Sequence, residues 1–135
     1  MPAPTMIQLE TPPRLGLYSH AALVPAGCRV LFMGGRASVG ADGSTVGVGD
    51  IAAQVRQAFD NMRQVLASAD MGFANVVLLT TYLVGEENIA GFYEARARIF
   101  DEAYPDKQYP PNTLLIVSRL VHADMLIEIQ GIAAG

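Results

Sequence analysis

The chain has 135 residues, of which 51% are hydrophobic, and this is enough for one domain with a substantial core. The formal net charge is −4 and lysine and arginine form no stripe, so we expect no nucleic-acid partner. A single cysteine excludes an internal disulfide and favours a reducing compartment. No apolar run approaches the roughly 20 residues of a membrane span, and the N-terminus lacks a signal-peptide pattern. We therefore expect a cytoplasmic protein without a membrane partner.

The first third of the chain predicts strands and loops. Residues 1–13 are rich in proline and threonine and indicate an extended lead-in to the domain. Two strands are predicted over residues 17–24 and 28–33, and the sequence Pro25-Ala26-Gly27 between them predicts a hairpin turn. Residues 40–49 are rich in glycine and predict a loop.

Two amphipathic helices are predicted in the middle of the chain. Asp50 can cap a helix that begins at Ile51 and is broken near Gly72, because its side chain can accept a hydrogen bond from the first turn. Apolar residues recur along it at spacings of three and four, at Ile51, Val55, Phe59, Met62 and Leu66. The second helix is predicted over residues 89–103 and ends before Pro105. Its apolar stripe consists of Ile89, Phe92, Ile99 and Phe100.

Three later segments predict strands. Residues 75–84 are almost entirely apolar, residues 113–117 follow Pro110-Pro111, and residues 125–132 alternate between apolar and polar. The order β-β-α-β-α-β-β predicts a single α+β domain over residues 14–135, with two helices on one face of a mixed sheet. An apolar surface on the other face would indicate oligomerisation.

Few residues of this chain can carry out chemistry. His20 and His122 are far apart, and no cysteine or carboxylate cluster has the spacing of metal ligands, so no metal site is expected. His20, close to Tyr18, is either a general acid or base, or a polar histidine at a strand edge. Gly34-Gly35 does not complete a dinucleotide or phosphate-binding motif, but glycines there can let a ligand approach the backbone. No cofactor is expected.

Glu128 is the carboxylate with the most unusual surroundings in the sequence. It lies in an otherwise apolar strand and shares one face with Gln130, because side chains alternate along a strand. An ionised carboxylate at such a position needs a partner or open water. Glu128 therefore lies either on a solvated face, or in a cleft where it can position or protonate a ligand.

Several motifs match one family in order and spacing. Residues 17–21 are similar to its G-P-Y-S-x-A opening, and residues 33–36 stand where the family has S-G-Q. Residues 50–61 are close to its D-x-x-x-Q helix that ends in Asn, and residues 75–83 resemble its V-V-K-x-T-V-Y-L strand. Residues 127–133 resemble its final V-E-I-E-A-I-A segment. On these stretches the chain resembles the Rid/YjgF family of reactive intermediate deaminases.

The resemblance implies a chorismate-mutase-like fold and a homotrimer, in which the sheets form an inner barrel with ligand clefts between subunits. In the deaminases of this family, an arginine after the proline motif holds the substrate carboxylate through a bidentate guanidinium. A water oriented by the glutamate of the last strand attacks the imine carbon, and ammonia leaves. The resemblance thus implies catalytic roles for Glu128, which orients water, and Tyr18, which donates a hydrogen bond. The implied ligand-binding residues are Gly34, Gly35, Arg36, Tyr93, Asn112, Thr113 and Leu115.

The sequence departs from the family pattern at the arginine that holds the substrate carboxylate, which is called the anion clamp here. Thr113 stands where the arginine is expected, and threonine cannot hold a carboxylate in a bidentate manner. Tyr93 replaces a small polar amide, and Gly34 replaces a serine. Arg36 could take over the clamp, and so could Arg119, which is expected on the same strand face as Thr113. The alternative is that both arginines face solvent.

We therefore expect a homotrimer that binds a small metabolite between its subunits and is not a standard deaminase of 2-aminoacrylate or 2-imino acids. The alternative is an enamine or imine deaminase with a rearranged site, in the degradation of an aromatic amine whose ring stacks on Tyr93. A protein-binding or chaperone-like role is a third possibility. The ribonuclease activity described for members of the family is not expected for so acidic a chain.

Overall fold

The computed structural model describes residues 3–135 and contains six strands and two α-helices. The strands are β1 (Thr5–Ile7), β2 (Ala21–Leu23), β3 (Val30–Ala37), β4 (Val76–Val84), β5 (Asn112–Val117) and β6 (Ile127–Ala134). The helices are α1 (Ile51–Ser68) and α2 (Ile89–Ala103), and short 3₁₀ turns occupy Phe73–Asn75 and Glu86–Asn88. No helix within residues 3–135 combines the length and apolarity that a bilayer span requires.

The main sheet has four strands in the order β3-β6-β4-β5. The β4–β5 pair is parallel and the other two pairs are antiparallel, so the sheet is mixed. Both helices pack on the same face of this sheet, and the core lies between the two layers. The predicted α+β architecture is therefore confirmed.

The sequence patterns of the two helices are confirmed by their packing. Asp50 caps α1, because its Oδ1 accepts a hydrogen bond from the backbone N–H of Ala53 at 3.1 Å. Four of the predicted stripe residues of α1 are fully buried, namely Val55, Phe59, Met62 and Leu66. In α2, Phe92 and Phe100 are buried, while Ile89 and Ile99 pack at the margin of the core.

A cluster of aromatic rings fills the end of the core where α2 leads toward β5. The ring of Phe100 lies 4.9 Å from that of Tyr104 and 5.6 Å from that of Tyr109, measured between centroids. The Tyr104 hydroxyl donates a hydrogen bond to the backbone carbonyl of Phe73 at 3.0 Å. Burial, with a smaller contribution from Asp106, raises the pKa of Tyr104 well above its usual value. This tyrosine therefore stays neutral inside the core.

The predicted hairpin of residues 17–24 and 28–33 is wrong. Strand β2 pairs with β1 in a separate two-stranded sheet, whereas β3 pairs with β6 and continues to Ala37. The ring of His20 contributes contacts between the N-terminal segment and the start of β2. Its Nδ1 accepts a hydrogen bond from Leu9 N–H at 3.1 Å, and its Nε2 lies 2.9 Å from the carbonyl oxygen of Pro12. These contacts hold the N-terminal segment against the start of β2. The segment predicted as an extended lead-in, residues 1–13, therefore contains a strand, β1.

Gln54 connects α1 to two loops and to the residue before β6. Its side chain is fully buried, and its Nε2 donates to the carbonyls of Gly47 at 3.2 Å and Asp124 at 2.9 Å. Its Oε1 accepts from Leu126 N–H at 2.8 Å. The last strand begins at Ile127, directly after this contact, and not at residue 125 as predicted.

Replacing Gln54 with leucine is expected to destabilise the protein strongly. Leucine has a similar size, but it leaves the carbonyl of Asp124 and the N–H of Leu126 without partners, whereas the carbonyl of Gly47 still accepts from Asp50 N–H. Each buried unpaired group costs roughly 1–3 kcal/mol. We expect Gln54→Leu to lower the free energy of unfolding by at least about 2 kcal/mol, measured by urea denaturation at one protein concentration. Gln64→Leu is the control, because Gln64 is exposed on the same helix and its loss should change stability by less than about 0.5 kcal/mol. Equal effects of the two substitutions would contradict the role of the buried amide.

Candidate functional site

The face of the main sheet opposite the helices carries the candidate site and is called the open face below. On β4, Leu79, Thr81 and Leu83 are buried under the helices, so the alternate side chains project from the open face. The pairing register extends this assignment to the other strands. The open face includes Val30, Phe32, Leu78, Thr80, Tyr82, Thr113, Leu115, Glu128, Gln130 and Ile132.

The rim of the open face is apolar and unusually exposed. Phe32 is 75% exposed and Val30 is 50% exposed on β3, and Leu115 is 42% exposed on β5. Scattered apolar residues are ordinary on protein surfaces, but these belong to one continuous face of one sheet. Exposed apolar side chains gathered on one face of a sheet are typical of a binding or assembly surface.

Polar side chains occupy the centre of the open face. The register places Tyr82 beside Glu128, and Thr80 between Gln130 and Thr113. The hydroxyl of Tyr82 donates to Oε1 of Gln130 at 3.2 Å. Tyr82 and Thr80 are not among the predicted site residues, although alternation along the nearly apolar strand puts both on the face opposite Leu79.

The carboxylate of Glu128 lies directly over the backbone of Gly35. A Cβ at position 35 would lie only 2.6 Å from Cδ of Glu128, which no real side chain allows. The β3–β6 register is irregular between Met33 and Arg36, and Gly35 lies in this bulge. Within residues 3–135, Glu128 forms neither an ion pair nor a side-chain hydrogen bond, so both of its oxygens can accept hydrogen bonds from a ligand.

The same bulge turns Arg36 away from Glu128. After the irregularity Arg36 pairs with Ile129, whose side chain is buried under the helices, so Arg36 projects from the helix-covered side at the sheet edge. Its Nε donates to the carbonyl of Gly34 at 3.2 Å, and it lines a pocket beside Asn61 of α1. The structure therefore places Arg36 on the opposite side of the sheet from the polar centre.

Arg119 also lies outside the open face. Strand β5 ends at Val117, so the expected placement of Arg119 on the strand face of Thr113 is wrong. The guanidinium folds back on its own loop, where Nε donates to the carbonyl of Leu120 at 3.0 Å and Nη2 to that of Val121 at 3.2 Å. Its donors are thus partly occupied by backbone groups.

Three further predicted residues lie away from the open face of their own chain. Asn112 faces the helices, where its Oδ1 accepts from the hydroxyl of the buried Thr81 at 2.9 Å. Tyr18 precedes β2, and its hydroxyl accepts from the backbone N–H of Leu15 at 2.8 Å. Tyr93 is half-exposed on α2. One chain therefore brings together, at or beside the open face, Gly34, Gly35, Thr113, Leu115 and Glu128.

The charge of this site is negative. Glu128 is the one ionisable carboxylate among the open-face residues, and within the described chain no arginine or lysine belongs to that face. The remaining polar groups are hydroxyls and an amide, which bind neutral polar groups. In residues 3–135, His, Cys, Asp and Glu side chains form no group of three or more that could hold a metal ion. The arrangement can orient a water or bind a hydrogen-bond donor through Glu128.

Comparison with known proteins agrees with this fold. A family model described as Endoribonuclease L-PSP matches residues 9–135. The chain belongs to this family, the Rid/YjgF family. Among Rid/YjgF relatives, a RutC family protein of Pyrococcus horikoshii is 33% identical over 124 residues, which cover 92% of this chain and 91% of the relative. Protein DfrA of Myxococcus xanthus is 30% identical over 96 residues, covering 71% of this chain and 72% of DfrA.

Solved structures confirm the Rid/YjgF fold. A Rid family protein of unknown function from Yersinia pestis, YyfB, superposes with a TM-score of 0.85 at 30% identity, with 98% of both chains covered. The YjgF gene product of E. coli superposes with a TM-score of 0.70 at 26% identity, covering 96% of this chain and 97% of the other. The family expected from the sequence motifs is therefore confirmed.

A methyl group at position 35 is expected to displace Glu128 in this Rid/YjgF protein. The Glu128 side chain is flexible and half-buried, so Gly35→Ala should rotate its carboxylate away with a stability loss of about 1 kcal/mol or less. A crystal structure of the variant would show the new rotamer. Gly34→Ala is the control, because a Cβ at position 34 meets only Nη2 of Arg36, at an ordinary 3.8 Å. An unchanged Glu128 rotamer in Gly35→Ala would contradict the close approach described above.

Proposed function

We propose that this protein is a homotrimer that binds a small, uncharged metabolite in clefts between its subunits, and that it is not a standard deaminase of 2-aminoacrylate or 2-imino acids. The open face forms one wall of each cleft. The observation that carries the proposal is a polar centre with a free carboxylate, Glu128, and a hydroxyl, Thr113, where a guanidinium is needed to hold an acid substrate.

The exposed apolar rim supports the assembly. Helices cover one face of the main sheet, and the other face leaves Phe32 and Val30 largely exposed. A second copy that buried these side chains would remove them from water, and each large side chain that becomes buried contributes roughly 1.5–3 kcal/mol.

Tyr18 lies off the open face of its own chain. In the proposed trimer it enters the cleft of a neighbouring subunit, where its hydroxyl proton is available to a ligand because its oxygen already accepts from Leu15 N–H.

The chemistry of the cleft supports an uncharged ligand. A carboxylate bound near Glu128 would meet a like charge, and Arg36 and Arg119 are both placed away from the open face. A ligand with N–H or O–H groups instead finds acceptors in Glu128 and Gln130.

An enamine or imine deaminase with a rearranged site is the second candidate. The position of Glu128 favours it, because its oxygens are free to orient a water and to take a proton from it. The water would add to the imine carbon, and the resulting tetrahedral carbon would expel ammonia to leave a carbonyl product. In this case the substrate lacks a carboxylate or is held by a group other than residue 113.

The proposed trimer predicts a measurable mass. Sedimentation equilibrium of the native protein should give about three times the 14.4 kDa of one chain. Phe32→Asp should shift the protein toward monomers, because it would place an unpaired charge inside a buried contact. Val121→Asp is the matched control, since Val121 is 76% exposed in the loop after β5 and Phe32 is 75% exposed. A monomeric native protein, or a Phe32→Asp variant that stays trimeric, would refute the assembly.

The missing clamp predicts a gain of activity. Native protein should release no ammonia from 2-aminoacrylate generated in situ, whereas Thr113→Arg should release it, because the new guanidinium would project from the same open face as Glu128. Thr113→Lys is the control, because lysine adds a positive charge but cannot bind a carboxylate in a bidentate manner. It should gain less deaminase activity than Thr113→Arg. A native protein that is already active would overturn the proposed loss of deaminase function. Arg36→Ala and Arg119→Ala would then test whether either arginine holds the substrate.

A further inference from the structure

A groove runs between α1 and α2 on the outer side of the helix layer and is called the helix groove here. Its floor is apolar and consists of Phe59, Ala95 and Ile99, and its walls carry exposed charged side chains of both helices. The groove measures about 250 Å³. A protein cavity of roughly 150 Å³ is enough to hold benzene, so the helix groove has room for a ring with one small polar group.

Contacts between the two helices fix which residues lie level across the groove. The ring centroids of Phe59 and Phe100 are 5.9 Å apart. A Cβ added to Gly91 would lie 2.7 Å from Cγ2 of Ile51. The two pairs lie near opposite ends of the helices, and their partners are 40 and 41 positions apart in the sequence. The helices therefore run parallel, and each residue of α1 is level with the residue about 40 positions later in α2.

This register brings two arginines to the same level on opposite walls. Arg56 of α1 is level with residues 96–97 of α2, and Arg98 follows within two residues. At a rise of about 1.5 Å per residue, the two Cα atoms differ by no more than about 3 Å along the helix direction. Both side chains line the groove. Their guanidinium groups can therefore approach one ligand from both sides of the apolar floor.

The donors of Arg56 are unused within residues 3–135, where its guanidinium forms no hydrogen bond, ion pair or ring contact. Other arginines of the described chain donate to backbone carbonyls, pair with a carboxylate of their own helix, or, like Arg96, are buried against aromatic rings. Arg98 pairs with Glu94 at 2.9 Å, and their side chains are 74% and 71% exposed. Such an exposed pair is weak because water screens it, so Arg98 can exchange this partner for a ligand.

The carboxylates of the helix groove do not cancel this positive end. Asp60 is paired with Arg63 of its own helix, so its charge is already balanced. Glu102 lies four residues after Arg98, which places it about 6 Å further along α2. The end of the groove with Arg56 and Arg98 is therefore locally positive, in a chain whose formal net charge is −4. An anion is the ligand that matches this end.

We propose that the helix groove is a second binding site, which takes a small carboxylate with an apolar body. The carboxylate would lie between Arg56 and Arg98, because a guanidinium binds a carboxylate through two parallel hydrogen bonds. The apolar body would cover the floor of the groove. The site lies on the helix layer, on the other side of the sheet from the open face, so it requires neither Glu128 nor the proposed trimer. Its ligand class also differs, because the open face selects against carboxylates.

The direct test follows the side-chain Nε–H resonance of Arg56 by NMR. Benzoate is the probe, benzamide supplies the same ring without a negative charge, and acetate supplies the charge without the ring. We expect benzoate to shift the resonance in a saturable manner, benzamide to leave it unchanged, and acetate to bind more weakly than benzoate. Loss of the resonance in Arg56→Met assigns it. Absence of a saturable shift with benzoate, or acetate binding as tight as that of benzoate, would overturn the proposal.

Variants at the two arginines separate the groove from general charge effects. Arg56→Met and Arg98→Met should each weaken benzoate binding by about fivefold, because each removes one charge-assisted pair of hydrogen bonds at an exposed site. Both residues are exposed, so the variants should fold like the native protein. Arg119→Met is the matched control, since it makes the same charge change at an exposed arginine that folds back on its own loop. Equal effects of all three substitutions would refute the site.

A gain of affinity provides the sharpest check. Glu94→Gln frees Arg98 from its ion pair and should tighten benzoate binding about twofold, which is the strength expected for an exposed pair four residues apart on a helix. Glu86→Gln makes the same change of net charge in the turn before α2 and should leave the affinity unchanged. Unchanged affinity in Glu94→Gln would contradict the role of Arg98. Because none of these measurements uses 2-aminoacrylate, their failure would leave the open-face proposal to its own experiments.

Discussion

The packing of both helices on one face of the main sheet is the constraint on which the rest of the molecule depends. It requires apolar side chains at alternate positions of the strands, and Leu79, Leu83 and Ile129 meet that requirement. The remaining positions are free to vary, and in this chain they form an apolar rim around Glu128 and Gln130. A site at the centre of a sheet is held by backbone hydrogen bonds on both sides, so its side chains start from well-defined positions.

The elements that the sequence predicts well are those with local causes. Helix α1 follows from its apolar spacing and from Asp50 at its start, and helix α2 follows from the spacing between Phe92 and Phe100. The face of Glu128 follows from simple alternation. The predicted hairpin fails because the partner of β2 is chosen by nonlocal contacts, among them the two hydrogen bonds of the His20 ring. A turn sequence indicates a change of direction but does not fix which strands pair afterwards.

The candidate site is harder to predict for a similar reason. A bulge at Gly35 reverses the side from which Arg36 projects, and the sequence shows two adjacent glycines but not the irregular register. Burial of Arg96 could have been predicted, because it lies four residues after Phe92 and four before Phe100 on the apolar stripe of α2. Because arginine is charged, its residue type alone predicts a surface position. Its position in the apolar stripe predicts burial, and the structure confirms burial.

The five tyrosines of the chain divide between the core and its candidate surfaces. Tyr104 and Tyr109 are buried together, with 5.9 Å between their ring centroids. Tyr82 lies on the open face, Tyr93 is half-exposed on α2 and Tyr18 precedes β2. Because the chain has no tryptophan, tyrosine is its dominant intrinsic fluorophore. Fluorinated tyrosine at all five positions would give the molecule an internal reference of two buried rings, together with three separate spectroscopic reporters of sheet, helix and N-terminal loop.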